Sequence, residues 1–260
     1  MQRLRRLSGR ANARRAEGLV VAEGAKVLGE ALRSGRPVEA VYLDPGAGPP
    51  ELELAGRCHD AGARVFELEP GVIGRVTATV TPQPIVGVVA APGTTLDAVI
   101  GAGPDLVVVC AGVRDPGNAG TVLRSADAAG ASAVVSCGGS VDLFNPKTVR
   151  ASAGAVFHVP VVEEGEPSSV LDRLGRAGLR RVGATAHDGA DYLEADLSAP
   201  LALVVGNEAH GLSPEVAARL DGTVTIPMAG RAESLNVGIA TAVLCFEVAR
   251  RRRPPAAPHP

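Results

Sequence analysis

The chain has no tryptophan, two tyrosines and four phenylalanines. Aromatics make up 2% of its 260 residues against 46% hydrophobic overall. A core must therefore be built from Val, Leu, Ile and Ala, and few rings are on hand to stack against nucleobases. The four cysteines, Cys58, Cys110, Cys137 and Cys245, are scattered. None has metal-ligand spacing, so they read as free thiols of a reducing compartment. The histidines show no such spacing either, and no metal is expected. No apolar run reaches about 18 residues, which argues against a membrane span. The charged N-terminus has no apolar segment behind it and is no secretory signal; the expected location is cytoplasmic. Also missing are a GxxxxGK[ST] phosphate loop and a G-x-S-x-G elbow, and Gly101-Ala-Gly103 precedes its strand, so it is no dinucleotide fingerprint.

Net charge is only −2, so bulk electrostatics do not announce nucleic acid. Charge is uneven, however. Residues 1–16 carry Arg3, Arg5, Arg6, Arg10, Arg14 and Arg15 with no acid, and Arg250 to Arg253 are consecutive. Such clusters are either nucleic-acid footprints or solvated termini.

What the chain does have is alternation. In the first part, strands are expected at the start of 19–32 and at Val38–Leu43, Val65–Leu68 and Ile85–Ala90. Helices fall between them, over the rest of 19–32, Leu52–Ala61 and Pro70–Val76. This predicts a small α/β domain over 1–92, followed by a linker at 93–104. Beyond it lie strands at Leu106–Cys110, Ala133–Ser136, within Val156–Val162, and at Arg180–Thr185, Leu201–Val205 and Val224–Pro227. Helices lie at Asn118–Ala129, Asn145–Ser152 and Ser168–Ala177, from Ser213-Pro214-Glu215, and at Val237–Arg250. Continuous apolar strands alternating with helices predict a mostly parallel sheet covered on both faces over 105–253, with a flexible tail at 254–260. In such folds ligands sit at the carboxyl ends of strands.

Three glycine-punctuated polar segments fall at such ends: Asn118-Ala-Gly-Thr-Val-Leu-Arg124, Gly206-Asn-Glu-Ala-His-Gly-Leu-Ser-Pro214 and Ile226-Pro-Met-Ala-Gly-Arg-Ala-Glu-Ser-Leu-Asn-Val237. With Asp115-Pro-Gly before the first and Phe144-Asn-Pro-Lys-Thr-Val-Arg-Ala-Ser-Ala-Gly-Ala155 between, they resemble the signature motifs of the SpoU (TrmH-type) branch of the SPOUT superfamily, over roughly residues 105–250. The front part is similar to that family's substrate-binding extension, through Arg3-Leu-Arg-Arg-Leu-Ser8 and Val21-Ala-Glu-Gly24.

The resemblance implies an S-adenosylmethionine-dependent RNA ribose 2′-O-methyltransferase with a deep trefoil knot, acting as a homodimer with its site near the subunit interface. Gly206, Ile226, Met228 and Leu235 are the cofactor candidates: a glycine for close approach and apolar side chains to flank adenine. Arg124 is the candidate for chemistry. Asn118 lies six positions before it, about 240° round a helix, so the two do not share a face; Asn118 is a helix cap or a contact residue. Glu208 would hold Arg124 or the substrate, or stabilise a turn. Ser234 and Asn236 would bond substrate or cofactor, or cap the following helix, and Gly238 stands where many relatives carry a small hydroxyl residue. Arg3, Arg5, Arg6, Arg10, Lys147 and Arg150 are the RNA-backbone candidates. The substrate-binding extension favours ribosomal RNA; a tRNA methyltransferase and a non-catalytic RNA-binding or ribosome-assembly factor are the alternatives.

Overall fold

Strands form where Val, Leu and Ile run together, and helices where Pro, Asp, Thr or Ser opens a turn. The computed structural model describes residues 1–77 and 81–252; Arg253 and the expected tail at 254–260 lie outside the described residues. In chain order the elements are α1 (Gln2–Gly9), α2 (Ala11–Glu17), β1 (Leu19–Glu23), α3 (Ala25–Arg33), β2 (Val38–Leu43), α4 (Pro49–Asp60), β3 (Arg64–Glu67), α5 (Val72–Thr77), β4 (Ile85–Ala90), α6 (Leu96–Gly101), β5 (Leu106–Cys110) and α7 (Pro116–Ala128). They continue with β6 (Ala133–Ser136), α8 (Pro146–Ala151), β7 (Val161–Glu163), α9 (Pro167–Arg176), β8 (Arg180–Ala184), β9 (Ala190–Asp191), β10 (Leu201–Val205), α10 (Pro214–Ala217), β11 (Gly222–Thr225) and α11 (Val237–Arg252).

The chain divides into two compact units: Met1–Pro92 with Asp142–His158, and Gly93–Val141 with the chain from Val159 on. A single cut between the halves, as the sequence suggested, is not how the contacts fall. Residues 142–158 are held in the first unit by side chains far away in sequence. Buried Arg14 pairs with Asp142 and donates to the Leu7 carbonyl at 2.6 Å. Arg150 meets buried Glu23 at 3.4 Å, and His158 lies 3.3 Å from Glu30. The stretch expected to be a linker, 93–104, contains α6. Thr95 caps that helix by accepting from the Ala98 N–H, and it buries Leu96 and Val99 in the core of the second unit.

In the first unit the sheet order is β1-β4-β2-β3, antiparallel except for β2 with β3. The arginine-rich start is neither frayed nor wholly solvated. It forms α1 and α2, and Leu4 and Leu7 are buried against Ile73, Val76 and the sheet. The strand expected within 156–162 starts late, at Val161. Ala153 (φ 52°) and Gly154 (φ 98°) turn the chain left-handed, and Ala155–Phe157 follows as a 3-10 turn.

In the second unit seven parallel strands lie in the order β7-β6-β5-β10-β8-β11-β9. Every residue of β5 and β10 is buried, as both-face coverage requires. Val107, Val109, Ala202 and Val204 pack against residues of α6, α9 and α10. The alternate residues face the other way, and there α7 and α11 pack against each other. The central strands β5, β10, β8 and β11 thus stand side by side, and their carboxyl ends bring four loops together.

Candidate active site

The first of those loops follows β5 and ends at the helix start of α7, where the Asp115 carboxylate accepts from the Asn118 N–H at 2.8 Å and Pro116 fills the first position. The second follows β10. Gly206 is obligatory there: a Cβ would run into the backbone of Gly211 and come within 2.8 Å of the Leu212 nitrogen. Asn207 and Gly211 exchange N–H···O bonds of 2.8 and 2.9 Å, with Gly211 at φ 66°. The Asn207 side chain accepts from the Ala209 and His210 N–H groups and donates to the Gly112 carbonyl at 3.0 Å. The result is a closed turn that presents Glu208.

Glu208 accepts from the Asp115 N–H (3.0 Å), the Arg114 N–H (3.2 Å) and the Asn118 side-chain amide (3.0 Å). The Asn118 carbonyl oxygen in turn accepts from the Asn236 amide at 2.7 Å, and the Asn236 oxygen accepts from the Gly238 N–H at 2.9 Å. One chain of hydrogen bonds therefore joins all three segments. Partial burial works against the Glu208 charge, but the Asn118 amide and the backbone N–H groups outweigh it and hold its carboxyl below the usual carboxylate range. A carboxylate so engaged fixes the first loop; it is poorly placed to take a proton from substrate. Among the described residues it makes no ion pair, with Arg124 or any other cation.

A cavity of about 790 Å³ opens beside this network. Gly206, Ile226, Met228 and Leu235 all line it, as do Asn118, Glu208, Ser234 and Asn236. Arg124 does not. It is exposed on α7 and makes no hydrogen bond or ion pair among the described residues. Gly238 has a packing reason: a Cβ would sit 2.8 Å from the Thr121 Cβ, so the glycine lets α11 approach α7.

The loop after β8 was missed. Thr185, Ala186, His187 and Asp188 also line the cavity, and β11 holds them. The Thr185 N–H donates to the Val224 carbonyl (2.9 Å), the Thr225 hydroxyl to the Ala186 carbonyl (3.0 Å) and the Thr223 hydroxyl to the Asp188 carbonyl (3.2 Å). Gly189 permits this contact, since a Cβ would lie 2.7 Å from the Val224 carbonyl carbon. The available signal was a polar run ending in Asp-Gly just beyond an apolar strand.

The six RNA candidates all belong to the first unit, but they are not equally free. Arg3 is bonded to Glu17 and Glu39, Arg6 to Glu17, and Arg150 to Glu23 and the Thr81 carbonyl. Arg5, Arg10 and Lys147 are exposed with no ion pair among the described residues. At the C-terminal arginine run, Arg250 and Arg251 both grip Glu247, and Arg251 also donates to the Tyr192 and Leu193 carbonyls.

Comparison with known proteins agrees with this geometry. Residues 105–246 match the SpoU rRNA Methylase family, and residues 1–87 match the MRM3-like substrate binding domain. The chain belongs to the SpoU rRNA methylase family. This SpoU chain is 38% identical over 227 residues to the 23S rRNA (guanosine(2553)-2′-O)-methyltransferase RlmP of Bacillus subtilis, covering 87% of the chain and 86% of that protein. It is 33% identical to an uncharacterized tRNA/rRNA methyltransferase of Mycobacterium avium, over 93% of the chain and 80% of that protein. Among solved structures, an AdoMet-bound rRNA methyltransferase from Sinorhizobium meliloti superposes with a TM-score of 0.82 at 32% identity, covering 97% of this SpoU chain and 95% of that one. The SpoU methyltransferase AviRb of Streptomyces viridochromogenes, in complex with AdoMet, also gives 0.82, at 31% identity, covering 96% of this chain and 97% of that one. This SpoU chain is thus an RNA methyltransferase built to use S-adenosylmethionine.

Proposed function

We propose that this chain methylates a ribose 2′-hydroxyl of ribosomal RNA. The observation that carries the reading is the cavity at the carboxyl ends of β10, β8 and β11, where the hydrogen-bonded Glu208–Asn118–Asn236 network borders an apolar lining. Its volume of about 790 Å³ suits a ligand the size of S-adenosylmethionine. Ile226, Met228 and Leu235 would flank the adenine, with main-chain groups of the Gly206–Leu212 turn and Ser234 available for its polar atoms. The bound cofactor supplies an electrophilic methyl group. The protein's part is alignment, which can account for much of such a rate. RlmP, by its name a 2′-O-methyltransferase of 23S rRNA, favours the ribosomal substrate over tRNA.

Arg124 is the residue we assign to the reacting ribose. A guanidinium keeps its proton, so it orients the hydroxyl and an adjoining phosphate and stabilises developing alkoxide charge. Its exposure on α7, away from the cavity lining, goes with a homodimer. On neighbouring α11, Ile239 (52% exposed) and Phe246 (49% exposed) stand seven residues apart on one face and suit a second copy. The first unit, through Arg5, Arg10 and Lys147, would hold RNA backbone, and the cytoplasm is where the substrate lies.

Mapping 2′-O-methylation in ribosomal RNA from cells with and without the gene tests the reading, with S-adenosylmethionine calorimetry beside it. One ribose methyl is expected to disappear with the gene; a chain that binds no S-adenosylmethionine would instead be an RNA-binding factor. Phe246→Glu is expected to convert a dimer into a monomer in sedimentation; a wild-type monomer would remove the dimer.

A further inference from the structure

Few as the aromatics are, two of them stack across the outer strand pair of the first unit. Tyr42 on β2 and Phe66 on edge strand β3 are direct cross-strand partners. Their ring centroids are 5.3 Å apart and the planes 17° from parallel. Tyr42 is half-buried against the α1–α5 cluster, whereas Phe66 is 40% exposed, although a neighbour already covers part of it. It is the one exposed aromatic of the first unit among the described residues. Arg64, two residues before it on the same face of the strand, places its guanidinium 6.0 Å from the Phe66 centroid and leaves its own side chain 64% exposed.

The surroundings are cationic. Arg3, Arg6 and Arg64 are linked through only two carboxylates, Glu17 and Glu39, which leaves one positive charge in excess. An aromatic pair that served packing alone would bury Phe66. Here a half-bare ring, with a planar and largely exposed cation over it and arginines of α1 linked to the same carboxylates, has the makings of a stacking surface for a π-face carried on a polyanion.

We propose that Tyr42, Phe66 and Arg64 form a stacking platform for an unpaired nucleobase of the RNA substrate, while the arginines of α1 neutralise the adjoining phosphates. The proposal rests on the reading of the chain as an RNA methyltransferase and adds to it that the recognised RNA presents a splayed, single-stranded base to the first unit. Stacking is tolerant of base identity, so this platform contributes affinity and registers the RNA rather than reading its sequence.

Because the chain contains no tryptophan, Phe66→Trp makes position 66 its sole indole emitter. In the full-length variant, a short unstructured RNA oligonucleotide should quench that emission strongly, and a duplex of equal length should quench it weakly. Phe66→Ala should weaken binding of the same oligonucleotide by about 5- to 150-fold, with S-adenosylmethionine affinity unchanged. Phe66→Leu, which keeps apolar volume but no π-face, should not restore binding. Unquenched emission together with wild-type RNA affinity in Phe66→Ala would overturn the platform. So would a Phe66→Ala variant that changed oligomeric state at unchanged RNA affinity, since that would make the patch a protein contact. Either result leaves the enzyme reading standing; that reading fails separately, if the wild-type chain binds no S-adenosylmethionine.

Discussion

Two backbone N–H groups and two side-chain amides converge on one carboxylate at Glu208. With its pKa depressed, it stays ionised at every pH where the enzyme would be assayed; the contribution it makes to the loop is present above the ordinary carboxylate value and is lost as pH falls through the lowered one. Glu208→Gln should therefore cut the rate, by up to roughly 10²-fold if the loop shifts by about 1 Å, while leaving the shape of the pH–rate profile unchanged. Loss of an acidic limb in that profile would make it a base after all. Arg124→Ala contrasts with this. It should lose roughly 10²–10³-fold in rate with S-adenosylmethionine affinity nearly intact, because Arg124 lies outside the cavity lining. At this scale the sequence was informative where a residue's neighbours are consecutive, as for Gly206. It singled out Glu208 but not the partners that hold it, Arg114, Asp115 and Asn118, which lie 94, 93 and 90 positions earlier.

At the scale of elements, the turn after β10 depends on a backbone-to-backbone approach that no side chain can share. Gly206→Ala should destabilise the protein by about 1–3 kcal/mol and abolish S-adenosylmethionine binding in calorimetry; normal binding would mean the turn is not needed to shape the cavity. The end of α11 is secured differently. Glu247, buried beneath Arg250 and Arg251, is held down to about 2, first by the bond from Arg250 and then, against burial, by that from Arg251. Its folded pKa lies below the unfolded value, so its stabilisation is complete above about pH 5 and fades as pH falls toward 2. Glu247→Gln should thus lower the melting temperature at pH 7 and make little difference near pH 2. Elements built on continuous apolar runs, such as β5 and β10, were legible because both their faces are buried. The helices at the N-terminus were not, because only Leu4 and Leu7 mark their inner side amid arginines. The helix at 96–101 was hidden by its Pro-Gly approach.

For the whole molecule, the parallel sheet and the loop-bearing edge where the cavity opens followed from alternation, but the grouping of residues 142–158 with the first unit did not. Residues 142–158 sit in the middle of the stretch that matches the methylase family, yet they complete the first unit. Nothing local marks this; Arg14 reaches Asp142, and Arg150 reaches Glu23, across more than a hundred residues. A fragment of residues 1–92 should consequently be poorly ordered alone, with Arg14 deprived of Asp142 and Glu23 of Arg150, and should gain dispersed amide resonances when a peptide of residues 142–158 is added. A fragment already well ordered by itself would contradict this.

That shared segment also sets the order of assembly during synthesis. Domains ordinarily fold from the N-terminus as each emerges. Here the first unit cannot be finished until residue 158 is clear of the ribosome, by which time β5, α7 and β6 of the second unit have already been made. The two units are built interleaved, and a nascent chain paused between residues 92 and 142 exposes the unfilled side of the first unit while the sheet of the second is half made.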